Sequence, residues 1–236
     1  RILGIDDVFY HDQGGYLRTH GARVADLTAG MLLGTYRVPA YRVAGHFRMT
    51  NKTPAATYRA PGRFETTFVR ERLLDAIAEQ IGIDRIEVRR RNLIGVAEMP
   101  YARDLDALGT DVILDSGDYD LLLNKTMARF KWDEAKDDVD KRRAAGEHVG
   151  LGIAMFVEKS GLGPSDGVIL KVDNAGALEL VTGTASVGQG VETALAQIAA
   201  DTLGVDYRSI RVIHGRTDQI TYGSGAHASR VTVMSG

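Results

Sequence analysis

Cysteine is absent from the 236 residues, and that absence removes several kinds of chemistry at once. No disulfide, thiolate zinc site, iron–sulfur ligation or cysteine nucleophile can be built from this segment. No apolar run approaches the roughly 20 residues needed to span a bilayer, and no secretory core is visible at the start. Charge of one sign is also lacking: the formal net charge is −2, which gives no overall field for nucleic acid or an anionic membrane. The six histidines, His11, His20, His46, His148, His214 and His227, show no H-x-H or H-E-x-x-H spacing, so a metal held by protein side chains is not expected. What is present is ordinary: 44% hydrophobic and 25% charged residues, a length sufficient for one large domain or two smaller ones, and an expected soluble, cytoplasmic protein. The chain opens on Arg1 and stops just after the apolar run Val231–Met234, so a piece of a longer protein is expected.

The richest local signal is the glycine-rich turn at 183–193, Gly-Thr-Ala-Ser-Val-Gly-Gln-Gly-Val-Glu-Thr. Before it, residues 177–182 alternate apolar and polar side chains, as a half-buried strand does. After it, Val191, Ala194, Leu195, Ile198, Ala199 and Leu203 recur at helical spacing, and Gly204 supplies a stop. Free amides and the positive end of the helix dipole then face whatever occupies the turn, which suits an anion. A nucleoside-triphosphate loop is not indicated, because Gln189 and Gly190 stand where Lys and Ser or Thr are required. A dinucleotide fingerprint fails as well, since Glu192 replaces its third glycine. Two readings stay open: an amide cradle helped by Gln189, or a plain tight connection between strand and helix.

Elsewhere the chain reads as an α+β arrangement. Val8-Phe9-Tyr10 and Ala44–Met49 have β character around a helical small-residue stretch, Ala22–Gly34, and residues 50–62 form a loop broken by Pro54, Pro61 and Gly62. A helix follows, with Val69, Leu73, Ala76, Ile77 and Ile81 on one face and Gly82 closing it, and Asp84 with Glu87 starts a second, shorter one. Residues 98–147 mix turn signals with a polar amphipathic stretch whose charged end is a solvated helix tail or linker. From Gly150 the chain becomes β-rich, with strands expected at Leu151–Val157 and Val168–Val172, a hairpin turn at Asp173–Gly176, and a βαβ crossover ending on Ile210–His214. A domain boundary is placed near residue 147.

Three further features carry chemistry. Arg59 lies in the loop Tyr58-Arg59-Ala60-Pro61-Gly62-Arg63, where its guanidinium either clamps a carboxylate or carbonyl oxygen or caps the loop's own carbonyls. Arg85, Arg89, Arg90 and Arg91 read as a charge-paired solvated face rather than an anion site. A second Gly/Ser loop, Tyr222-Gly223-Ser224-Gly225-Ala226-His227-Ala228-Ser229-Arg230, follows a strand and leads toward another helix. His227 is given no chemical role.

Taken in this order, these segments resemble the molybdenum-cofactor-binding large subunit of the xanthine dehydrogenase, aldehyde oxidase and carbon monoxide dehydrogenase family of molybdenum hydroxylases. The resemblance covers essentially the whole chain and is most specific at 50–65, at 89–94 with 98–101, at 188–193 with 196–201, and at 222–230. It implies parts of two tandem cofactor-binding domains, each a mixed sheet packed with helices: residues 1–147 the C-terminal part of the first, residues 148–236 the N-terminal part of the second.

The resemblance further implies that Gly188, Gln189, Gly190, Val191, Glu192, Thr193 and Gly223, Ser224, Gly225, Ala226, Ser229 hold a molybdopterin-type cofactor, bare or in a cytosine dinucleotide form. Tyr58, Arg59 and Ala60 would lie beside the molybdenum, with Arg59 orienting substrate. The metal is held by the cofactor's own dithiolene, so the lack of cysteine is no objection. Family members hydroxylate a small aldehyde or N-heterocycle with water-derived oxygen. They pass electrons to [2Fe-2S] and FAD on an iron–sulfur small subunit and an FAD medium subunit, in a dimer of heterotrimers. Ala60 departs from the cysteine that copper-containing carbon monoxide dehydrogenases carry there, which disfavours that activity. The family's catalytic glutamate is expected outside residues 1–236, so this piece alone is expected to be inactive. The rival readings are a non-catalytic phosphate- or nucleotide-binding α+β module using the 183–193 turn alone, and a degenerate subunit that has kept the fold and lost turnover.

Overall fold

A computed structural model describes residues 1–18, 20–163 and 165–236. They divide into two compact units, Arg1–Glu158 and Lys159–Gly236. In the first, strand β1 (Gly4–Gly14) and strand β2 (Ala40–Met49) pair in parallel around helix α1 (Arg23–Met31). Asp12 fastens the end of this ribbon, accepting from the Thr50 hydroxyl at 2.6 Å and the Gly14 amide at 3.0 Å. Helix α2 (Arg63–Ile81) follows and stops at Gly82, whose left-handed backbone (φ +65°) suits a residue without Cβ. Asp84 caps helix α3 (Arg85–Arg90) by accepting from the amides of Ile86 and Glu87. The Glu87 carboxylate accepts from Arg91, one turn further along the helix.

The turn-rich stretch after residue 98 contains an antiparallel hairpin that sequence patterning did not reveal, strand β3 (Tyr101–Ala107) and strand β4 (Thr110–Leu114). Leu108 and Gly109 both take positive φ at its tip, as a tight hairpin turn requires. The charged stretch is helical: α4 (Tyr119–Phe130) and α5 (Trp132–Ala144) are separated at Lys131, with only Trp132 of α5 buried. The main core of the unit gathers Leu33, Tyr36, Leu74, Ile86, Ile94, Leu123, Trp132 and Met155.

Three expectations for this unit need correction. Val69, Leu73 and Ile81 of α2 are exposed, and the helix instead buries Thr66, Arg70, Glu71, Leu74 and Ala78. That polar face is tolerated because its charges are closed. Arg70 Nε donates to Glu71 at 2.9 Å, Arg89 Nε donates to Glu71 at 2.8 Å and Arg89 Nη1 to Asp75 at 2.9 Å. Second, Arg89 is therefore not on a solvated face; its side chain is fully buried, while Arg90 and Arg91 do form exposed pairs with Asp120 and Glu87. Burial and then the neighbouring Glu71 carboxylate push the Tyr36 phenol, which donates to Glu71 at 3.1 Å, well above its ordinary pKa.

Third, the segment at 151–157 joins no ladder among the described residues. Its odd-numbered residues still turn inward, as in a strand, but guanidinium groups take the place of a neighbouring chain. Arg85 donates to the carbonyl of Leu151 at 3.0 Å, Arg89 to Ile153 at 3.2 Å and Arg70 to Met155 at 2.6 Å.

The second unit is a three-stranded sheet in the order β5-β6-β7: β5 (Val168–Val172), β6 (Leu178–Thr182) and β7 (Ile210–Ile213). The expected hairpin joins β5 to β6, and Asp173 closes its turn by accepting from the amides of Ala175 and Ala177. Helix α6 (Val191–Leu203) makes the crossover to the parallel strand β7 and ends at Gly204. Leu178, Leu180, Val191, Leu195, Ala196, Ala200 and Ile210 form its core. Helix α7 (Val231–Ser235), the helix expected after the second Gly/Ser loop, is a single turn.

Replacing Arg89 with methionine removes two carboxylate contacts while leaving Glu71 buried. Loss of one partner from such a pair costs roughly 3–5 kcal/mol, and a lowered urea midpoint of the full-length subunit checks it.

Candidate functional site

Parallel pairing of β6 with β7 sets the geometry. Val181 lies opposite Ile213, so the turn after β6 and the loop after β7 leave the carboxyl end of the same sheet. In open sheets of this kind, ligands bind in the crevice beyond those strand ends. The two loops meet there backbone to backbone. A Cβ added to Gly183 would stand 2.1 Å from the Tyr222 carbonyl oxygen, and one added to Gly223 would stand 1.9 Å from the Gly183 carbonyl oxygen. Only glycine permits that approach.

Other glycines in the same loops face open space. Gly188 (φ +92°), Gly190 (φ +78°) and Gly225 (φ +72°) adopt conformations that side chains rarely accept, and a Cβ on any of them would meet nothing within 4 Å. The amides of Gly188, Gln189 and Gly190 make no hydrogen bond among the described residues. Gly190 caps α6 with no side-chain acceptor, so the helix start has no partner of its own there. Thr184 Oγ1 is buried beside this turn and likewise finds no partner among the described residues. Glycine-shaped space, unengaged amides and an orphaned hydroxyl fit a ligand rich in acceptor oxygens, as the phosphate and pterin of a molybdopterin are.

Gln189 is both donor and acceptor, as its chemistry allows, but within its own turn. Its Oε1 accepts from the Val187 amide at 2.6 Å and its Nε2 donates to the Ala185 carbonyl at 3.0 Å. Val191 is buried in the core, whereas Thr193 is exposed. The Glu192 carboxylate meets His214 Nε2 at 2.7 Å and the Ser186 hydroxyl at 3.4 Å. Hydrogen bonding, first from its own amide and then from His214, holds its pKa below the usual value.

Asp166, which sequence reasoning passed over, anchors the second loop. Its Oδ1 accepts from the Ser224 amide at 2.9 Å, and its Oδ2 lies 3.2 Å from Arg230 Nη2, with both side chains completely buried. Ala228 (φ +53°) and Ser229 (φ +50°) then carry the chain out in left-handed conformations, while Gly225 and Ala226 are half-buried. A lone aspartate between Ser165 and Gly167 gives no sequence signal of this partnership. His214 was equally silent, a histidine ending a strand without a motif.

The Tyr58–Ala60 loop belongs to the first unit. Tyr58 is 75% exposed, and Arg59 is exposed without a hydrogen bond or ion pair among the described residues. Ala60 takes φ +50°, and its carbonyl accepts from the amides of Arg63 at 3.0 Å and Phe64 at 3.2 Å. Capping of this loop's carbonyls therefore falls to Arg63, not Arg59: buried Arg63 donates to the Pro61 carbonyl at 3.2 Å and pairs with Glu158. Among the described residues, five non-glycine positions have positive φ, and three of them, Ala60, Ala228 and Ser229, lie in these two loops. Strain of this kind costs about 1–3 kcal/mol per residue and collects at ligand-binding segments.

Comparison with known proteins follows the same lines. Residues 1–93 match a molybdopterin cofactor-binding domain family, and residues 125–236 match a second one of the same description. The chain is 41% identical over its whole length to 30% of the 6-hydroxypseudooxynicotine dehydrogenase complex subunit gamma of Paenarthrobacter nicotinovorans. Over 86% of its length it is 32% identical to the nicotine 6-hydroxylase large subunit of that organism, covering 26% of it. Quinoline 2-oxidoreductase from Pseudomonas putida 86 superposes with a TM-score of 0.86 at 32% identity, over 98% of this chain and 30% of that one. The chain thus spans about 30% of the length of the relatives it matches.

Gly223→Ala is expected to separate the two loops, since the new methyl meets backbone that has no rotamer to yield. Overpacking of this kind costs about 1–3 kcal/mol, and a fall in melting temperature with increased hydrogen exchange in both 183–190 and 222–229 checks it.

Proposed function

The chain belongs to the molybdopterin-binding large subunits of the molybdenum hydroxylases, the family of xanthine dehydrogenase, aldehyde oxidase and carbon monoxide dehydrogenase, and from that premise we propose that its full-length subunit hydroxylates a small N-heterocyclic substrate with oxygen derived from water. The observation that carries the site assignment is the paired glycine cradle at the ends of β6 and β7. Through their main chains, with the Glu192 side chain turned aside onto His214, Gly188, Gln189, Gly190, Val191, Glu192 and Thr193 on one side, and Gly223, Ser224, Gly225, Ala226 and Ser229 on the other, hold the molybdopterin. Main-chain amides of the first group receive its anionic oxygens, and Asp166 with Arg230 keeps the second group in place. When bound, the cofactor supplies the molybdenum redox chemistry, which this chain's side chains do not replace.

The family resemblance assigns Tyr58, Arg59 and Ala60 to the molybdenum and the substrate. The Arg59 guanidinium, free of internal partners among the described residues, orients the substrate and stabilises the oxyanion that develops on it. A nitrogen heterocycle is favoured over an aldehyde because nicotine and quinoline give their names to two of the relatives above. Ala60 weighs against carbon monoxide as substrate. The reading includes the boundary at 147/148 between two cofactor-binding domains, a catalytic glutamate supplied from other parts of the subunit, [2Fe-2S] and FAD carried by iron–sulfur and flavin partner subunits in a dimer of heterotrimers, and a cytoplasmic location. No helix among the described residues is long and apolar enough to cross a membrane.

Purified full-length complex is expected to contain molybdenum and pterin in proportion to the subunit. A folded, active preparation without either overturns the assignment. Arg59→Ala is expected to lower kcat/KM by roughly a hundredfold, the scale for losing one preorganised donor, with pterin content unchanged; steady-state kinetics beside pterin analysis checks it.

A further inference from the structure

An acidic residue in the first turn of α6 sits awkwardly beside an anion site. Glu192 is the acid there, and the helix start draws its carboxylate by the same amides and dipole that draw a phosphate. The surrounding contacts restrain it. Ser186 donates its amide to His214 Nδ1 at 3.4 Å, which leaves the ring proton on Nε2, and Nε2 donates to Glu192 Oε1 at 2.7 Å. The other carboxylate oxygen, Oε2, receives the Ser186 hydroxyl at 3.4 Å. Both oxygens are thus held by residues at the root of the turn and the end of β7, and the glutamate's own amide shares the charge.

Resting on the cofactor reading above, we propose that His214 and Glu192 are a positioning pair that keeps the α6 start open to the cofactor's anionic groups: His214 restrains a built-in competitor. His214 touches neither cofactor nor substrate in this role. It acts through Glu192, and through Ser186 it also fixes the root of the turn that presents Gly188, Gln189 and Gly190. With His214 removed, the carboxylate is free to swing onto those amides and to repel the ligand oxygens that need them.

Removing the competitor as well as its restraint therefore restores the site, whereas a purely structural role for His214 predicts that a second substitution in the same cluster adds damage. The test uses the full-length subunit in its assembled complex, following loss of molybdenum and pterin on dilution at fixed pH, with the melting temperature of each variant recorded alongside. His214→Ala is expected to lose cofactor roughly tenfold faster than the wild type, the scale on which outer-shell partners tune ligand affinity. His214→Gln, which keeps an N–H donor, recovers part of that loss, and His214→Ala combined with Glu192→Gln recovers most of it even if melting temperature stays lowered. The pairing is overturned if His214→Ala releases cofactor at the wild-type rate, or if the double variant releases it as fast as His214→Ala alone. A wild-type complex holding no molybdenum or pterin overturns the cofactor reading itself and this role with it.

Discussion

The contact of Gly183 with Gly223 is the constraint on which the site depends. Two main chains meet with hydrogen atoms as their only side chains, and a methyl group on either one would overlap a carbonyl oxygen. Parallel pairing of β6 and β7 sends both loops from one end of the sheet, and the missing side chains let them close on each other. The turn after β6 and the loop after β7, some 40 residues apart in numbering, thereby leave the same end of one sheet in contact with each other. The buried Asp166–Arg230 pair secures the second loop through the Ser224 amide, so an ion pair that is costly to bury serves as a fixed strut for a glycine-rich segment.

The first unit solves a different problem by similar means. Its segment at 151–157 has the inward and outward alternation of a strand but no ladder among the described residues. Arg70, Arg85 and Arg89 supply donors to alternate carbonyls, and Glu71 and Asp75 lie against their guanidinium groups. Helices α2 and α3 are thus tied to an extended chain through guanidinium groups, whose several donors in fixed directions suit them to span between carboxylate and carbonyl. This also explains why α2 turns a charged face inward and leaves Val69, Leu73 and Ile81 exposed.

Much of the fold was legible because its signals are local. The β6–turn–α6–β7 unit followed from alternation, helical spacing and a stopping glycine, each readable within a few residues, and the structure places β6 at Leu178–Thr182 and α6 at Val191–Leu203. Asp173 closes the β5–β6 hairpin and Asp84 caps α3, both by short-range bonds that residue type announces. The β3–β4 hairpin escaped notice because Leu108 gives its tip no strong turn signal, although Gly109 beside it does. The glycine loops and the exposed Tyr58-Arg59-Ala60 segment were likewise visible, since unusual local composition marks them.

By itself, then, the sequence determined the absence of cysteine chemistry in this segment, the order of strands and helices in the second unit, and the positions of the glycine-rich loops, all properties readable along the chain. Only the tertiary structure decided which of those groups face each other. It paired Asp166 with Arg230, closed Glu192 against His214, buried Arg89 on Glu71, and gave Arg63 the loop-capping role open to Arg59. The reason is physical: such pairs join residues far apart in the chain, their energy depends on burial and angle, and neither quantity exists until the elements have packed.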